Sequence, residues 1–364
     1  MFQNLKKAFK ISAVCIFLVL AVFTVLYVYV YVKDPVLEAV KNKNTVSFSL
    51  LIYDENGTSA HRLCSCQIMY DCRNDVLKIL RVNSDVVVSK RRAYVKSLKT
   101  LFYENLEKDL NGNIDKFYLN LYKIIGPAAL SDFYIRMSFK TFNNIFGRDK
   151  NIKSLLNTDK SADADIESLN CFEILERVLY LIPYRFFKIQ RNYKYIDTNI
   201  PRLSLITSFN IVRRHKPGIK IMFCEMPVKY GNMYTEPDNH DIKEFLDKVY
   251  FKNSYADEKY IIVDVKNASK QHRMAEKAAW LLRANKFDVL DWESSPYMHS
   301  ETIIKDYRGN FMQALKIAGI LGAGRVIVSY NSSTYVDITV SIGRDCRIYD
   351  GLDKKIGGKN GGRH

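Results

Sequence analysis

Tyr260-Ile-Ile-Val-Asp-Val265 is a short buried-strand run that leads into Asn267-Ala268-Ser269, which supplies turn and helix-start chemistry. Ala275, Ala278, Ala279 and Leu282 then recur at helical spacing, and Phe287-Asp-Val-Leu290 returns as a strand. Thr302-Ile-Ile304 starts another strand after a polar loop. A second helix places Phe311, Ala314, Leu315 and Ala318 on one face and stops at Gly322. Val326-Ile-Val328 follows. Val336, Ile338, Val340 and Ile342 finally alternate with Tyr335, Asp337, Thr339 and Ser341, so one face of that strand is packed and the other wet. Two amphipathic helices set among apolar strands make a small βα module over residues 260–346.

Four pieces of this block carry a resemblance: the strand ending in Asn267-Ala268-Ser269, the helix end Leu281-Leu-Arg-Ala-Asn-Lys-Phe-Asp-Val289, Thr302-Ile-Ile304, and Val336-Asp-Ile-Thr-Val-Ser-Ile-Gly-Arg-Asp345. In that order they resemble the LytR C-terminal domain of bacterial cell-envelope proteins. The resemblance spans about a quarter of the chain, and it implies an envelope role.

Outward from this module, the other end of the chain is distinctive. Ile11 to Val32 is free of charge and rich in Val, Leu, Phe and Tyr. As a helix it is about 33 Å long, enough for a hydrocarbon core of about 30 Å. Lys6, Lys7 and Lys10 precede it, and no acid comes before Asp34, which predicts a cytoplasmic N-terminus and an exported remainder. Tyr27-Val-Tyr-Val-Tyr-Val32 offers no small-x-small cleavage site, so the run reads as an uncleaved single-pass transmembrane helix in a bacterial inner membrane. The net charge is +16; beyond the apolar run, 52 basic residues stand against 39 acidic ones. Such a surface suits anionic lipid and anionic glycopolymer, and with export it excludes nucleic acid as the partner.

The middle of the chain reads as α/β. Residues 45–53 and 75–88 are strand-like, separated by the polar, Gly-containing stretch 54–72. Leu98, Leu101, Phe102 and Leu106 have helical spacing; Phe117, Leu119 and Leu121 alternate as a strand after Asn111-Gly112-Asn113. Residues 148–168 read as a polar surface loop, and a helix around 203–215 ends at Pro217-Gly218. A strand over 219–224 precedes Asp238, which caps a helix with Ile242, Phe245, Leu246 and Val249 as its packed stripe. Residues 252–259 form the expected boundary, and 354–364 a flexible tail. Six cysteines lie outside the apolar run. Cys64, Cys66 and Cys72, near His61, match no common zinc spacing, so no metal is expected there; a local disulfide or plain thiols are.

Ser49-Leu-Leu-Ile-Tyr53, Leu77–Val88, Ile114-Asp-Lys-Phe-Tyr118 and Met226-Pro227 with Tyr234-Thr-Glu-Pro-Asp238 together resemble the LytR–CpsA–Psr (LCP) domain over 45–251. That resemblance implies a phosphotransferase, Mg²⁺-dependent if active, moving glycopolymer from a polyprenyl-pyrophosphate carrier to the cell wall. The family places an Asp early in the first strand and an Arg-Asp pair after the second; here Ser47 and Ser84-Asp85 stand there, so Asp85 is the one catalytic candidate left. A serine hydroxyl cannot replace a guanidinium fork on phosphate. Arg81 lies on the same strand as Ser84 but points to its opposite face, and Lys90, Arg91 and Arg92 are expected in a loop. The run Tyr184-Arg185-Phe-Phe-Lys188-Ile-Gln190-Arg191 supplies Arg185 and Arg191 as candidates for lipid-phosphate contact.

The expected fold class is therefore α/β: a transmembrane helix at 11–32, a degenerate LCP-like domain at 45–251, and the small βα domain at 260–346. The expected function is a non-catalytic envelope protein that binds or organises cell-wall glycan, or partners with envelope proteins, and needs no cofactor. The alternative is a surviving phosphotransferase. A remoter alternative is a type II glycosyltransferase, suggested by topology, Asp163-Ala-Asp165, and the sequons at Asn56, Asn267 and Asn331.

Overall fold

A computed structural model describes residues 34–42, 45–54, 63–91, 94–104, 110–150, 152, 172–178, 181–202, 204–205, 220–231, 235–251, 260–346 and 348. The expected membrane run 11–32, the boundary 252–259 and the tail 354–364 lie outside them, as do most of the loop at 148–168 and of the helix at 203–215. Among the described residues no helix is long and apolar enough to cross a membrane.

In chain order, α1 (Pro35–Asn42) and β1 (Thr45–Tyr53) are followed by β2 (Cys64–Asp71), β3 (Val76–Val82), β4 (Val87–Arg91) and β5 (Tyr94–Ser97). Next come α2 (Leu98–Tyr103), α3 (Leu110–Ile125), β6 (Phe133–Ser138), α4 (Phe139–Phe146), α5 (Phe186–Asn192) and β7 (Ile196–Thr198). β8 (Lys220–Glu225), β9 (Val228–Tyr230), β10 (Thr235–Pro237) and α6 (Asn239–Phe245) lead to the last module. That module comprises β11 (Ile262–Asn267), α7 (Met274–Ala284), β12 (Asp288–Ser294), β13 (Ile303–Asp306), α8 (Phe311–Leu321), β14 (Arg325–Val328) and β15 (Ile338–Ile342).

Three expectations are corrected. The stretch 54–72 contains β2, with seven of its eight residues buried; the cysteines, Ser65 and Gln67 gave it a polar look although Ile68, Met69 and Tyr70 pack. The expected strand at Phe117–Leu121 is a helix, α3, whose buried positions Ile114, Phe117, Leu121 and Ile125 follow three- and four-residue steps, while Leu119 is 58% exposed. Alternation over three residues was too short to outweigh that longer period. The expected strand at 75–88 breaks at a turn: Val86 N–H donates to Asn83 O and Asp85 N–H to Asn83 Oδ1. Lys90 and Arg91 consequently lie in β4, paired antiparallel with β5, rather than in a loop; Arg92 is outside the described residues.

The chain divides into two compact units, each interrupted in sequence. One holds residues up to Arg62, Met69–Val76 and Ser131–Lys220. Within it β1 runs parallel to β6, from Phe48 opposite Phe133 to Tyr53 opposite Ser138, and β7 adds antiparallel to β6. Ser138 caps α4 by accepting Thr141 N–H.

The other unit holds Leu63–Ile68, Leu77–Leu130 and everything from Ile221. Its strand order is β12-β11-β15-β13-β14-β8-β3, with the Leu63–Ile68 part of β2 beyond β3. β11 is parallel to both β12 and β15, β13 is antiparallel to β15, and β14 is parallel to β13 and β8. β11-α7-β12 and β13-α8-β14 are thus two βαβ units, the arrangement that parallel pairs joined by a helix require. Small side chains let α7 sit close to the strands: Ala275, Ala278 and Ala279 are buried with Leu282. Gly322, at φ +64°, ends α8 in the left-handed conformation that glycine tolerates best. α2 and α3 meet through Phe102 and Phe117, whose rings stand edge to face at 5.7 Å.

The module also buries a carboxyl. Asp306 ends β13 and is fully buried; its Oδ1 accepts Arg308 N–H at 3.0 Å and Gly309 N–H at 2.9 Å, while Oδ2 lacks a hydrogen-bond partner. Burial outweighs these backbone donors and pushes the carboxyl up to about 6. Between pH ~4 and ~6 the folded chain keeps a proton that the unfolded chain releases, so stability falls as pH rises through that window and is flat above it. Asp306→Asn, which holds the turn without a charge, should remove that fall, an effect on the order of 3 kcal/mol. Urea melts at pH 4.5 and 7 compare the two; an equal pH dependence in wild type and variant would refute the assignment.

Candidate functional site

In open α/β sheets, ligands gather at the carboxyl ends of strands. In the second unit β3 and β8 end side by side, where Met226 N–H donates to Arg81 O at 3.3 Å. The Asn83-Ser84-Asp85 turn follows β3, and Val86 bridges to Thr235 of the β9–β10 hairpin. Asp85, the catalytic candidate, therefore stands in the turn at the carboxyl end of β3. Its surroundings are another matter: the side chain is 56% exposed, and Oδ1 is held by the Lys99 ammonium at 2.8 Å. Ser84 O accepts Lys99 N–H, so the turn and the start of α2 are tied twice. Asp238, beside the same hairpin, caps α6 through Asp241 N–H and pairs with Lys229 at 3.0 Å. These contacts hold its carboxyl below the usual range, although burial acts the other way as the largest single influence.

Ser47, in the position where an acid is expected, has a structural partner. Its Oγ donates to Asp132 Oδ2 at 3.0 Å and accepts Asp132 N–H at 3.0 Å, while its own N–H donates to Asp132 Oδ2 at 2.9 Å. This reciprocal set fastens β1 to the start of β6. A magnesium ion takes near-octahedral oxygen ligands. An exposed carboxylate already on a lysine does not fit it.

Arg185 and Arg191 belong to the first unit and Asp85 to the second. Arg185 ends the 3₁₀ turn Ile182–Arg185, and its Nε is buried without a hydrogen-bond partner. Arg191 is exposed in the last turn of α5. Burial, then the charges of Arg185 and Arg148, hold Lys188 below lysine's usual range. Tyr184 and Phe187 are solvent-facing, at 67% and 84% exposure. This run is a basic, aromatic surface stretch.

The cysteines of β2 and its turn are thiols: Cys64, Cys66 and Cys72 are free, as are Cys224 and Cys346. Burial pushes the Cys72 and Cys346 thiols up to about 11 and Cys224 higher still, which keeps them poor nucleophiles. Asn267 and Asn331, two of the sequons, use their side-chain oxygens to accept the N–H and Oγ–H of Ser269 and Ser333 as turn residues. Asn56 and Asp163-Ala-Asp165 are outside the described residues.

Two features had no clear signal in the sequence. His240, Asp241 and Glu244 bring ligand-type atoms within 4.8 Å of one another. Asp241 already accepts from the Ser332 N–H and hydroxyl, and Glu244 from Tyr330 Oη at 2.6 Å and Lys248 Nζ at 3.1 Å. The cluster is thus a set of satisfied cross-links between α6 and the 330–332 loop. Lys78 of β3 is fully buried, and its Nζ donates to Val249 O at 3.0 Å and Tyr250 O at 2.7 Å. Those carbonyls close the π-helical turn Leu246–Tyr250 that follows α6, where Phe251 N–H reaches Leu246 O.

With this geometry in view, the comparisons identify the last module. Residues 260–345 match the family model of the LytR cell envelope-related transcriptional attenuator, and this segment is a LytR C-terminal domain. No curated protein matches the chain. Among solved structures, Lin1025 from Listeria innocua is similar at 12% identity and TM-score 0.38, covering 56% of this chain and 96% of its own. The transcriptional regulator yvhJ from Bacillus subtilis is similar at 16% and 0.35, over 57% and 97%. TagV from B. subtilis is similar at 13% and 0.36, over 57% and 98%.

Proposed function

We propose that this chain is a single-pass protein of the bacterial cytoplasmic membrane whose exported part binds or organises cell-wall glycan without transferring it. The match of residues 260–345 to a cell-envelope family carries the reading. The apolar run 11–32 with its preceding lysines supports the anchor, and the basic excess beyond it favours an anionic lipid surface or envelope partner nearby. The Lys99 contact of Asp85 and the Ser47–Asp132 set argue against phosphoryl transfer, which needs cations converging on the transferring group.

A second reading is a phosphotransferase using Asp85 with Mg²⁺, the activity that the resemblance of residues 45–251 to the LCP domain implies. The two readings separate in a polyprenyl-pyrophosphate hydrolysis assay with Mg²⁺. The natural chain and Asp85→Ala should both release phosphate at the background rate. Release that Asp85→Ala abolishes would establish the second reading in place of the first.

A further inference from the structure

The chain has two tryptophans, and both lie in the C-terminal module, exposed at 55% for Trp280 and 39% for Trp292. Large aromatics in the open are informative when something fixes them. Trp280 lies on α7 outside its buried alanine face, one turn beyond the Glu276 carboxylate. Arg273 grips that carboxylate with two bonds, at 2.6 and 2.8 Å. Arg283, one helical turn beyond Trp280, lays its guanidinium 4.7 Å from the Trp292 ring centroid and donates to Val289 O at 2.7 Å. Trp292 is thus held in place while open to solvent, an arrangement that spares a ligand the entropy of ordering it.

The choice of ligand follows from what surrounds them. Trp292 is on β12, the terminal strand of its sheet, and such an edge ordinarily invites another strand. This edge is closed to one. The register slips at Leu290, between the pairs Val263–Val289 and Asp264–Asp291, and Asp291 Oδ1 accepts the Trp292 N–H at 2.7 Å. Asp288 and Asp291 also leave the edge acidic, Glu293 being held by Lys266 at 2.8 Å, and this disfavours phosphate-bearing polymers and anionic lipid. What remains compatible is an uncharged molecule with flat C–H faces and hydroxyl groups around its rim. We propose that Trp280, Arg283 and Trp292 form a stacking platform for the sugar rings of an uncharged N-acetylhexosamine glycan. Indole faces, negative at their centres, take the ring C–H groups, while Arg283 and Glu276 serve the hydroxyl and amide groups. This rests on the envelope reading above and names the ligand for it.

Because no other tryptophan is present, intrinsic tryptophan emission of the full chain in detergent micelles reports on this platform alone. Titration with an N-acetylglucosamine hexamer should give a saturable emission change. Trp292→Ala, followed through Trp280, should weaken binding at least about tenfold, and Trp292→Phe, which keeps an aromatic face, less than about threefold. No saturable change, undiminished binding by Trp292→Ala in a normally folded variant, or an equal response to anionic phosphatidylglycerol vesicles would overturn the proposal. If the hexamer fails while isolated wall sacculi still retain the chain, the platform is wrong and the envelope reading stands; if both fail, both fall.

Discussion

Lys78→Ala is expected to be the most destabilising single substitution in the second unit, at about 3–5 kcal/mol. The loss has two parts. The Val249 and Tyr250 carbonyls would be left buried without Nζ, each costing about 1–3 kcal/mol if nothing replaces it. The space of a fully buried four-carbon stem would also stand empty next to the Val249–Tyr250 backbone. Lys78→Met separates the two effects, since it fills the space but supplies no donor; it should recover the packing and leave the carbonyl cost. The site of damage is equally specific. Hydrogen exchange should quicken first at the amides of Leu246–Phe251, because Lys78 closes the end of that wide turn. A Lys78→Ala chain that melts with the wild type, or one whose fastest-exchanging amides lie elsewhere, would refute this role.

Gly343→Ala should come next, at about 3 kcal/mol. A Cβ at 343 would stand 2.2 Å from the Glu301 carbonyl carbon and 2.5 Å from Thr302 N. Both are backbone atoms of the segment entering β13, so no side chain can swing away. The approach is close because three bonds draw these strands together: Thr302 N–H and Oγ donate to Asp345 Oδ1 at 2.7 and 2.8 Å, and Gly343 N–H donates to Thr302 Oγ at 3.0 Å. An alanine forces either that knot or the antiparallel Ile303–Ser341 register to give. Thermal melts followed by far-ultraviolet circular dichroism measure the loss. Thr302→Val, which keeps the shape but removes the hydroxyl, should cost less than half as much. Equal stability of Gly343→Ala and wild type would show that the two chain segments part readily.

The C-terminal module was legible because its apolar periods are long and its turn residues fall where elements end: the Ala275–Leu282 stripe, the Gly322 stop, the strand ending at Ile342. β2 was not, because Cys64-Ser-Cys-Gln67 opens the strand and dilutes the short apolar run Ile68-Met-Tyr70. α3 was misread because three alternating apolar residues fit both periods, and the register that decides between them needs Ile114 and Ile125. At the candidate site the identity of Asp85 could be read, but its Lys99 partner could not, since that contact depends on how the β4–β5 hairpin returns the chain. Lys78 was invisible for the same kind of reason. A lysine within a strand pattern reads as solvent-facing, and its partners lie some 170 residues away, as backbone carbonyls that carry no side-chain signature.

Retention on isolated wall sacculi tests the central claim most directly. Full chain in detergent should be held by sacculi stripped of anionic polymers, and held better than an unrelated protein of equal net charge. Retention no better than that control would contradict a glycan-facing role for this protein.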